Sequence, residues 1–479
     1  MKRYFFSIPL FILSLILFTG CSEDFLETDP TDAVSTDMAL NNYTNLKKSA
    51  NGMYAPLRSS NYYGAYMMIA PEIMADNVKR SQYEGSSRYV EEYNLTVGPS
   101  VGYYTGLWTE PYYVIRSANN IINAVKSDDF DPGDASEKQI DQLQGEALFV
   151  RALAHFDLCR LFAHHYTSNA SGLAPGADGE GAHLGIPVVL KTDVNSFPKR
   201  NTVEEVYNQV IKDLRKSSNL ISIDKGKNYA SRNAANALLA RVFLYKEQAD
   251  SARYYAEEVI NSGEYMLVEG KEVVDYWVKE EGYETIFQIY SDQLEEYFPG
   301  NESLNSLFNI GDKFPYSDLV ITEELYNSFA DEDTRKNLYY KDENNEVRVK
   351  KFLPKEGNTS PFENNIKVLR LAEMYLISAE ANYRLGSDGE ALNRLNDLRQ
   401  ARGLNDLNDI SFSVIAEERR KELACEGHRL FDLARLELDN SRPENNANPM
   451  VEYPDHRFIL PIPQSELDRN SNITQNPGF

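Results

Sequence analysis

Hydrophobic positions recur at helical spacing along most of the chain. The clearest run is Val203 to Ser217, where Val203, Val206, Tyr207, Val210, Ile211 and Leu214 fall at 0, 3, 4, 7, 8 and 11, one stripe of an amphipathic helix. Thr202 and Glu205 form a capping box in front of it, in which a hydroxyl and a carboxylate satisfy the first orphan amides. The same periodicity predicts helices over Tyr43–Leu57, Tyr112–Lys126 and Ile140–Phe162. Two later segments repeat one another. Ala240, Phe243, Ala252 and Ala256 recur in spacing as Ala379, Asn382, Ala391 and Leu395, each set a helix, a polar break (Gln248 to Asp250; Gly386 to Gly389) and a second helix. Small residues so spaced in a hairpin let two helices cross closely, the packing rule of tetratricopeptide repeats, although that repeat's Trp, Leu-Gly and Pro positions are missing. From Gly263 to Pro361 helical periodicity fades, and Ile286–Tyr290 reads as a short strand among loops rich in aromatic residues, Asn, Asp, Gly and Pro. Such segments on a helical scaffold are functional surface or plain insertion.

The N-terminus breaks this pattern. Lys2 and Arg3 precede an apolar run from Tyr4 to Phe18, interrupted by Ser7, Pro9 and Ser14 and closed by Thr19-Gly20-Cys21. This is the outline of a signal peptide. A cysteine directly after the cleavage point is the arrangement of a bacterial lipoprotein, whose thiol is diacylated, and two acyl chains make a stable anchor. A plain secretory signal with a chance cysteine and a short membrane anchor are the alternatives. No later segment approaches the ~20 apolar residues of a second span.

Composition narrows the function. Of 479 residues, 73 are acidic and 49 basic, a net charge of −24, and removal of residues 1–20 leaves the chain two charges more negative still. Nucleic acid, whose phosphates demand an excess of Lys and Arg, is excluded as a partner. Tyrosine dominates the aromatic content, with 31 copies beside 22 Phe and 2 Trp; its flat face and hydroxyl suit polar ligands with apolar faces, as well as cores. Cys159 and Cys425 stand alone in apolar helical patterns and are read as buried free thiols, with a disulfide as the alternative.

No Gly-x-Ser-x-Gly elbow, His-Glu-x-x-His or phosphate loop is present, and Gly179-Glu180-Gly181 is no dinucleotide fingerprint. His155, His164 and His165 lie on or after one helix, and His155 and His164 do not share a face, so core histidines are the default over a metal site. Asp128 to Asp134 offers oxygen ligands for calcium but lacks EF-hand spacing and reads as a solvated turn. No cofactor and no metal ligand set is expected. A glycosidase needs only two carboxylates, and the sequence neither nominates nor excludes a pair.

Several segments together resemble the SusD/RagB nutrient-uptake lipoproteins of the bacterial outer membrane. They are Cys21-Ser22-Glu23-Asp24-Phe25-Leu26 at the mature start, Trp108, Tyr112, Ile115 and Asn119 in a Trp-x3-Tyr-x2-Ile-x3-Asn spacing, and Gly145-Glu146-Ala147-Leu148-Phe149-Val150-Arg151-Ala152. Gly185-Ile186-Pro187-Val188-Val189, Arg370-Leu371-Ala372-Glu373, Arg399 with Ala401-Arg402-Gly403, Glu418 to Leu423, Glu426 to Leu433, Leu460-Pro461-Ile462-Pro463 and Asn476-Pro477-Gly478-Phe479 follow in order. The resemblance implies a mainly α, SusD-like fold: four tetratricopeptide-like helix hairpins plus a loop-rich ligand-binding face with few short strands. It divides the chain into a lipoprotein signal peptide (1–20), an acidic tether (21–36), an N-terminal helical part (37–262), a loop-rich ligand-face segment (263–361) and a C-terminal helical part (362–479).

The same resemblance implies a non-enzymatic role. The protein is expected to be anchored in the outer membrane through acyl chains on Cys21 and to face the cell surface. There it would bind a nutrient, an oligosaccharide or in the RagB-like branch a peptide, and deliver it to a SusC-like TonB-dependent barrel. A lipid-anchored glycoside hydrolase is the rival. The charges of Glu418 to Arg435 read as a scaffold ion-pair network, with Glu422, Glu426 and Arg429 at successive helical steps and Leu423, Leu430 and Leu433 on an apolar face; Trp108 reads as core. Ligand contacts are expected from Arg80, Tyr83, Tyr89, Tyr103 and Tyr104 before or at the start of the Trp-Tyr-Asn helix, and from Tyr290, Tyr297, Phe298, Phe314 and Tyr316 after the mid-chain strand. Sugar C–H faces stack on such rings, and Arg80, Arg88 or Asn301 could bond hydroxyls.

Overall fold

The computed structural model describes residues 40–168, 180–193, 195–279, 282–355, 358 and 360–479. The expected signal peptide, Cys21 and the tether lie outside these, as does Gly179 of the Gly179-Glu180-Gly181 run. Helix α1 (Tyr43–Gly52) is capped by Asn42, whose side chain accepts from the Asn45 amide at 3.0 Å. The helix predicted to Leu57 ends early and resumes as a 3-10 turn, Ala55–Arg58, because Pro56 has no amide to continue the α ladder. There follow α2 (Tyr66–Ile73), β1 (Val78–Arg80), α3 (Val90–Asn94) and α4 (Gly102–Ala124). Helix α4 starts ten residues before the predicted Tyr112; Gly106, Thr105, Thr109 and Pro111 in those turns mask the helical pattern. Helix α5 (Glu137–Phe162) is buried without a break from Gln142 onward, which makes it the central rod of the fold.

Helices α6 (Val203–Leu220), α7 (Arg232–Tyr245) and α8 (Ala249–Ile260) continue the ladder. The predicted capping box of α6 is formed, the Glu205 amide donating to Thr202 Oγ1 at 3.1 Å and the Thr202 amide to the Glu205 carboxylate at 2.9 Å. Next come α9 (Glu272–Val278), β2 (Thr285–Ile289), α10 (Leu304–Phe308), β3 (Leu319–Ile321), α11 (Glu323–Ser328), β4 (Tyr339–Lys341), β5 (Val347–Val349) and β6 (Ile366–Arg370). The chain closes through α12 (Leu371–Arg384), α13 (Asp388–Ala401), α14 (Phe412–Glu422), α15 (Arg429–Arg435), the short strands β7 (Asn440–Ser441) and β8 (Met450–Val451), and α16 (Gln464–Arg469). Each of α5 to α8 packs on its predecessor, α12 packs on α8, and α13 and α14 pack on α12. The fold is mainly α. The two repeated hairpins are α7–α8 and α12–α13, and their alanines 240, 252, 256, 379 and 391 are completely buried.

The spaced motif of α4 has a local structural use. Tyr112 Oη donates to the Pro187 carbonyl at 2.9 Å, Asn119 Nδ2 to that of Val189 at 3.0 Å, and Arg151 Nη1 donates to Asn119 Oδ1 at 2.8 Å. Trp108 is buried on Phe162. His155 receives the Val189 amide on Nε2 at 3.2 Å and donates from Nδ1 to the Arg151 carbonyl at 3.0 Å. Burial, helped by the Arg151 charge, depresses its pKa to about 3. The acidic turn is stapled to the start of α1, Asp131 pairing through its backbone with Asn41 and Tyr43.

Two small antiparallel sheets order the segment 263–361, joined as β1-β3-β5-β4 and β2-β6. One apolar core runs from Leu46 to Ile473 and takes in residues of all three helical and loop-rich segments.

The helical spacing expected through Glu418–Arg435 is interrupted. Helix α14 ends at Glu422, Cys425 and Gly427 adopt left-handed φ values of 66° and 76°, and α15 begins at Arg429. Gly427 passes so close to α2 that a Cβ there would lie 2.8 Å from the Met67 carbonyl oxygen. The amides of Gly427 and His428 donate to Glu72 Oε1 at 3.0 Å. The sequential pair Glu426–Arg429 is therefore replaced by long-range ones. Arg429 forks onto Asp76 at 2.6 and 2.8 Å, while Arg370 holds Glu422 at 2.6 Å, Glu426 at 2.7 Å and Glu284 at 2.8 Å. Arg402 reaches Glu422 at 2.8 Å, and Arg335 reaches Glu418 at 2.5 Å. Burial alone would raise the Glu422 pKa; Arg402 and Arg370 hold it well below the carboxylate range.

Candidate functional site

Pairing of β1 with β3 assembles the site. The register sets Arg80 opposite Leu319, so the residues after Arg80 and those before Leu319 leave the same end of the sheet together. The Ser81 amide donates to the Asp318 carbonyl at 2.7 Å, and the amide and hydroxyl of Ser86 donate to the Asp318 carboxylate at 2.6 and 2.9 Å. Gly85, at φ 116°, passes so close that a Cβ would meet Asp318 Oδ1 at 2.7 Å. Arg80 Nε holds the Arg88 carbonyl at 2.7 Å. Arg88 then bridges three segments: its guanidinium lies 3.5 Å from the Tyr316 ring centroid and donates to Glu302 at 2.8 Å and to Ser86 at 2.8 Å. Beneath it Tyr66, Tyr89 and Tyr103 form a ring cluster with centroids 5.1 to 6.1 Å apart.

The site continues along α4. Positions 103, 106, 110 and 113 share one side of the helix, opposite the Trp108, Tyr112, Ile115, Asn119 stripe. Gly106 admits the Asn61 side chain, to which a Cβ would come within 2.6 Å. Tyr113 meets Tyr297 at 6.4 Å between centroids, and their hydroxyls bond; that bond, with partial burial, pushes the Tyr297 pKa up to about 12. Arg116 lies over the Tyr113 ring, 4.5 Å from its centroid. Half-buried Glu110 has its carboxyl pushed up by desolvation, and its Oε2 is buried without a hydrogen-bond partner among the described residues. Arg58 ties down the loop after β2 through Glu295 at 2.6 Å and the Glu296 carbonyl at 3.3 Å.

Four of the nine non-glycine residues at positive φ among the described residues, Ser87, Tyr89, Tyr297 and Ser317, lie in these loops. Such backbone costs free energy and persists where surrounding contacts over-determine it, commonly at functional sites.

The sequence-nominated residues divide by depth. Tyr83 is 64% exposed and Tyr290 39% exposed, its hydroxyl donating to Asp292 at 3.0 Å. Arg80, Tyr103, Tyr297, Phe298 and Tyr316 are half-buried, and Asn301 is exposed. Phe314 packs edge-on against Phe362 at 6.5 Å. Tyr89 and Tyr104 are each only 2% exposed, so neither offers a ring face to a ligand: Tyr89 supports Tyr103, and Tyr104 points inward beside buried Glu92. Glu110, Tyr113, Asn61 and Glu302 were not nominated. The i, i+3, i+7, i+10 spacing of 103, 106, 110 and 113 was the available signal, obscured by Pro111.

Comparison with known proteins bears on this face. A SusD-like family model described as "Starch-binding associating with outer membrane" matches residues 24–244, and the SusD family model matches residues 283–479. The chain is similar to SusD-like protein P2 of Formosa agariphila, 26% identical over the full length of both chains. It is 30% identical to the starch-binding protein SusD of Bacteroides thetaiotaomicron over 24% of this chain and 22% of that protein. A solved SusD superfamily protein of Bacteroides vulgatus superposes with a TM-score of 0.80 at 31% identity, over 91% of this chain and 99% of the other.

Proposed function

Because the chain belongs to the SusD family, we propose that it is a cell-surface lipoprotein that captures a nutrient oligosaccharide and hands it to a SusC-like TonB-dependent barrel. The observation that carries the capture step is the tyrosine-lined face along α4, read here as the ligand groove, where part-exposed tyrosines from three distant segments stand beside the half-buried carboxylates of Glu110 and Glu302. Sugar C–H faces stack on such rings, and sugar hydroxyls donate to such oxygens. The family model's description places its members at the outer membrane. The Lys2-Arg3, apolar run and Cys21 pattern supports an acyl anchor in that membrane, and no helix among the described residues is long and apolar enough to cross one. The protein acts by binding and release, without turnover.

The test is calorimetric titration of residues 22–479 with a panel of oligosaccharides and peptides, with product analysis of each mixture. Saturable binding of one glycan class, no cleavage, and loss of binding in a Tyr103→Ala/Tyr297→Ala double variant are expected. Cleavage would move the protein to the hydrolases, and preference for a peptide to the RagB-like branch. Binding undiminished in the double variant would remove the groove. Co-purification of the acylated protein with its barrel tests the second half of the reading.

A further inference from the structure

Resting on the capture reading, we infer that the groove selects uncharged glycans and rejects chains bearing uronate or sulfate groups, with Glu110 and Glu302 setting that selection. The first observation is the employment of its cations. Arg58 is spent on Glu295 at 2.6 Å, Arg88 on Glu302 at 2.8 Å and on the Tyr316 ring, and Arg116 lies over the Tyr113 ring at 4.5 Å. Arg80 donates its Nε to the Arg88 carbonyl, and Lys313 sits on an exposed loop. An anionic sugar is held by forked guanidinium contacts, and the two guanidinium groups that tie the loops to the rings, Arg58 and Arg88, already hold carboxylates.

The second observation is the charge around each ring. Tyr103 feels Arg88 first and then Glu302, Glu92 and Asp318 against it; Tyr297 feels Glu296 and Glu110; Tyr290 feels Asp292, Glu295 and Glu363. The third is the direction of the unmet hydrogen bonds. Glu110 Oε2 and Glu302 Oε2 are buried oxygens without partners among the described residues. Ionised carboxylates only accept, so a ligand that reaches Glu110 or Glu302 must bring donors. A neutral sugar supplies hydroxyl donors and C–H faces together. A uronate or sulfate brings further acceptors and a like charge into a partly desolvated groove, where repulsion is stronger than in water.

The experiment uses the mature acylated chain in detergent and hexasaccharides matched in length. Maltohexaose, laminarihexaose and mannohexaose are set against hexagalacturonate, hexamannuronate and a sulfated hexaose, each titrated at low and at high salt. At least one neutral chain is expected to bind at least about tenfold more tightly than every anionic one, with an affinity that salt changes by less than about twofold. Glu302→Gln, which releases Arg88, and Glu110→Gln are expected to narrow the gap. An anionic chain that binds as tightly as the best neutral one would overturn the inference and leave glycan capture standing. So would tighter binding of a lysine-rich peptide, while moving capture to peptides. An unchanged gap in both variants would overturn the assignment to Glu110 and Glu302. Silence from every saccharide would overturn the capture reading as well. The wild-type comparison stands even where a variant folds poorly.

Discussion

The molecule handles buried charge in two opposite ways. Around β6, α14 and α15 each named guanidinium is matched by carboxylates. Arg370 spans Glu284, Glu422 and Glu426, and Arg435 joins Glu380 at 2.6 Å to Asp432 at 2.7 Å. There the pairing overcomes desolvation, and Glu373, Glu380, Glu422 and Asp432 are all held below the ordinary carboxylate range. In the groove Glu110 is pushed the other way, by burial, and its Oε2 remains without a partner among the described residues. Carboxylates neutralised by guanidinium groups within the chain fix geometry, whereas a half-buried carboxylate with no cation beside it is open to a donor from a ligand.

This contrast can be broken most strongly at Arg370. Arg370→Ala leaves Glu284, Glu422 and Glu426 without their main partner, and urea denaturation is expected to show a loss of about 3–5 kcal/mol; a loss below about 1 kcal/mol would mean the network is not structural. Acid should act in the same direction. The His155 pKa of about 3 lies below its unfolded value, so its neutral burial stabilises fully above about pH 6.5 and is lost as pH falls toward 3. At pH 5 that single group removes about 2 kcal/mol relative to pH 7.5, and a His155→Phe variant should show a correspondingly flatter profile of urea midpoint against pH. Asn119→Ala unties Val189 and Arg151 and is expected to cost about 1–3 kcal/mol with the groove intact.

The groove should behave in reverse. Tyr297 carries a φ of 63°, a conformation that costs a non-glycine residue about 1–2 kcal/mol. Tyr297→Gly is therefore expected to change stability by no more than about 1 kcal/mol in either direction while lowering glycan affinity at least about tenfold. A large loss of stability there, with affinity retained, would place Tyr297 with the scaffold and erase the distinction between the two regions.

Much of the scaffold was legible because its signals are local. The Thr202–Glu205 box, the alanine pattern of α7–α8 and α12–α13, and the Trp108 stripe each state a helix and its buried side within a few turns. Two features hid themselves. The first turns of α4 carry Gly106 and Pro111, and Leu423, Leu430 and Leu433 keep helical spacing across a break that only Gly427 betrays. Tyrosine identity marked the neighbourhood of the site but not depth: Tyr103 and Tyr104 are adjacent, and one faces the groove while the other faces the core.

By itself, then, the sequence determined the helices, their caps, the buried stripes and the family to which they belong, because side-chain periodicity and capping act between residues a few positions apart. Tertiary structure alone decided that residues 80–89, 297–302 and 316–318 stand together beside α4. Their meeting rests on β1 pairing with β3 across some 240 positions, through backbone hydrogen bonds that any residue with an amide can make and that leave no imprint on the sequence of either strand.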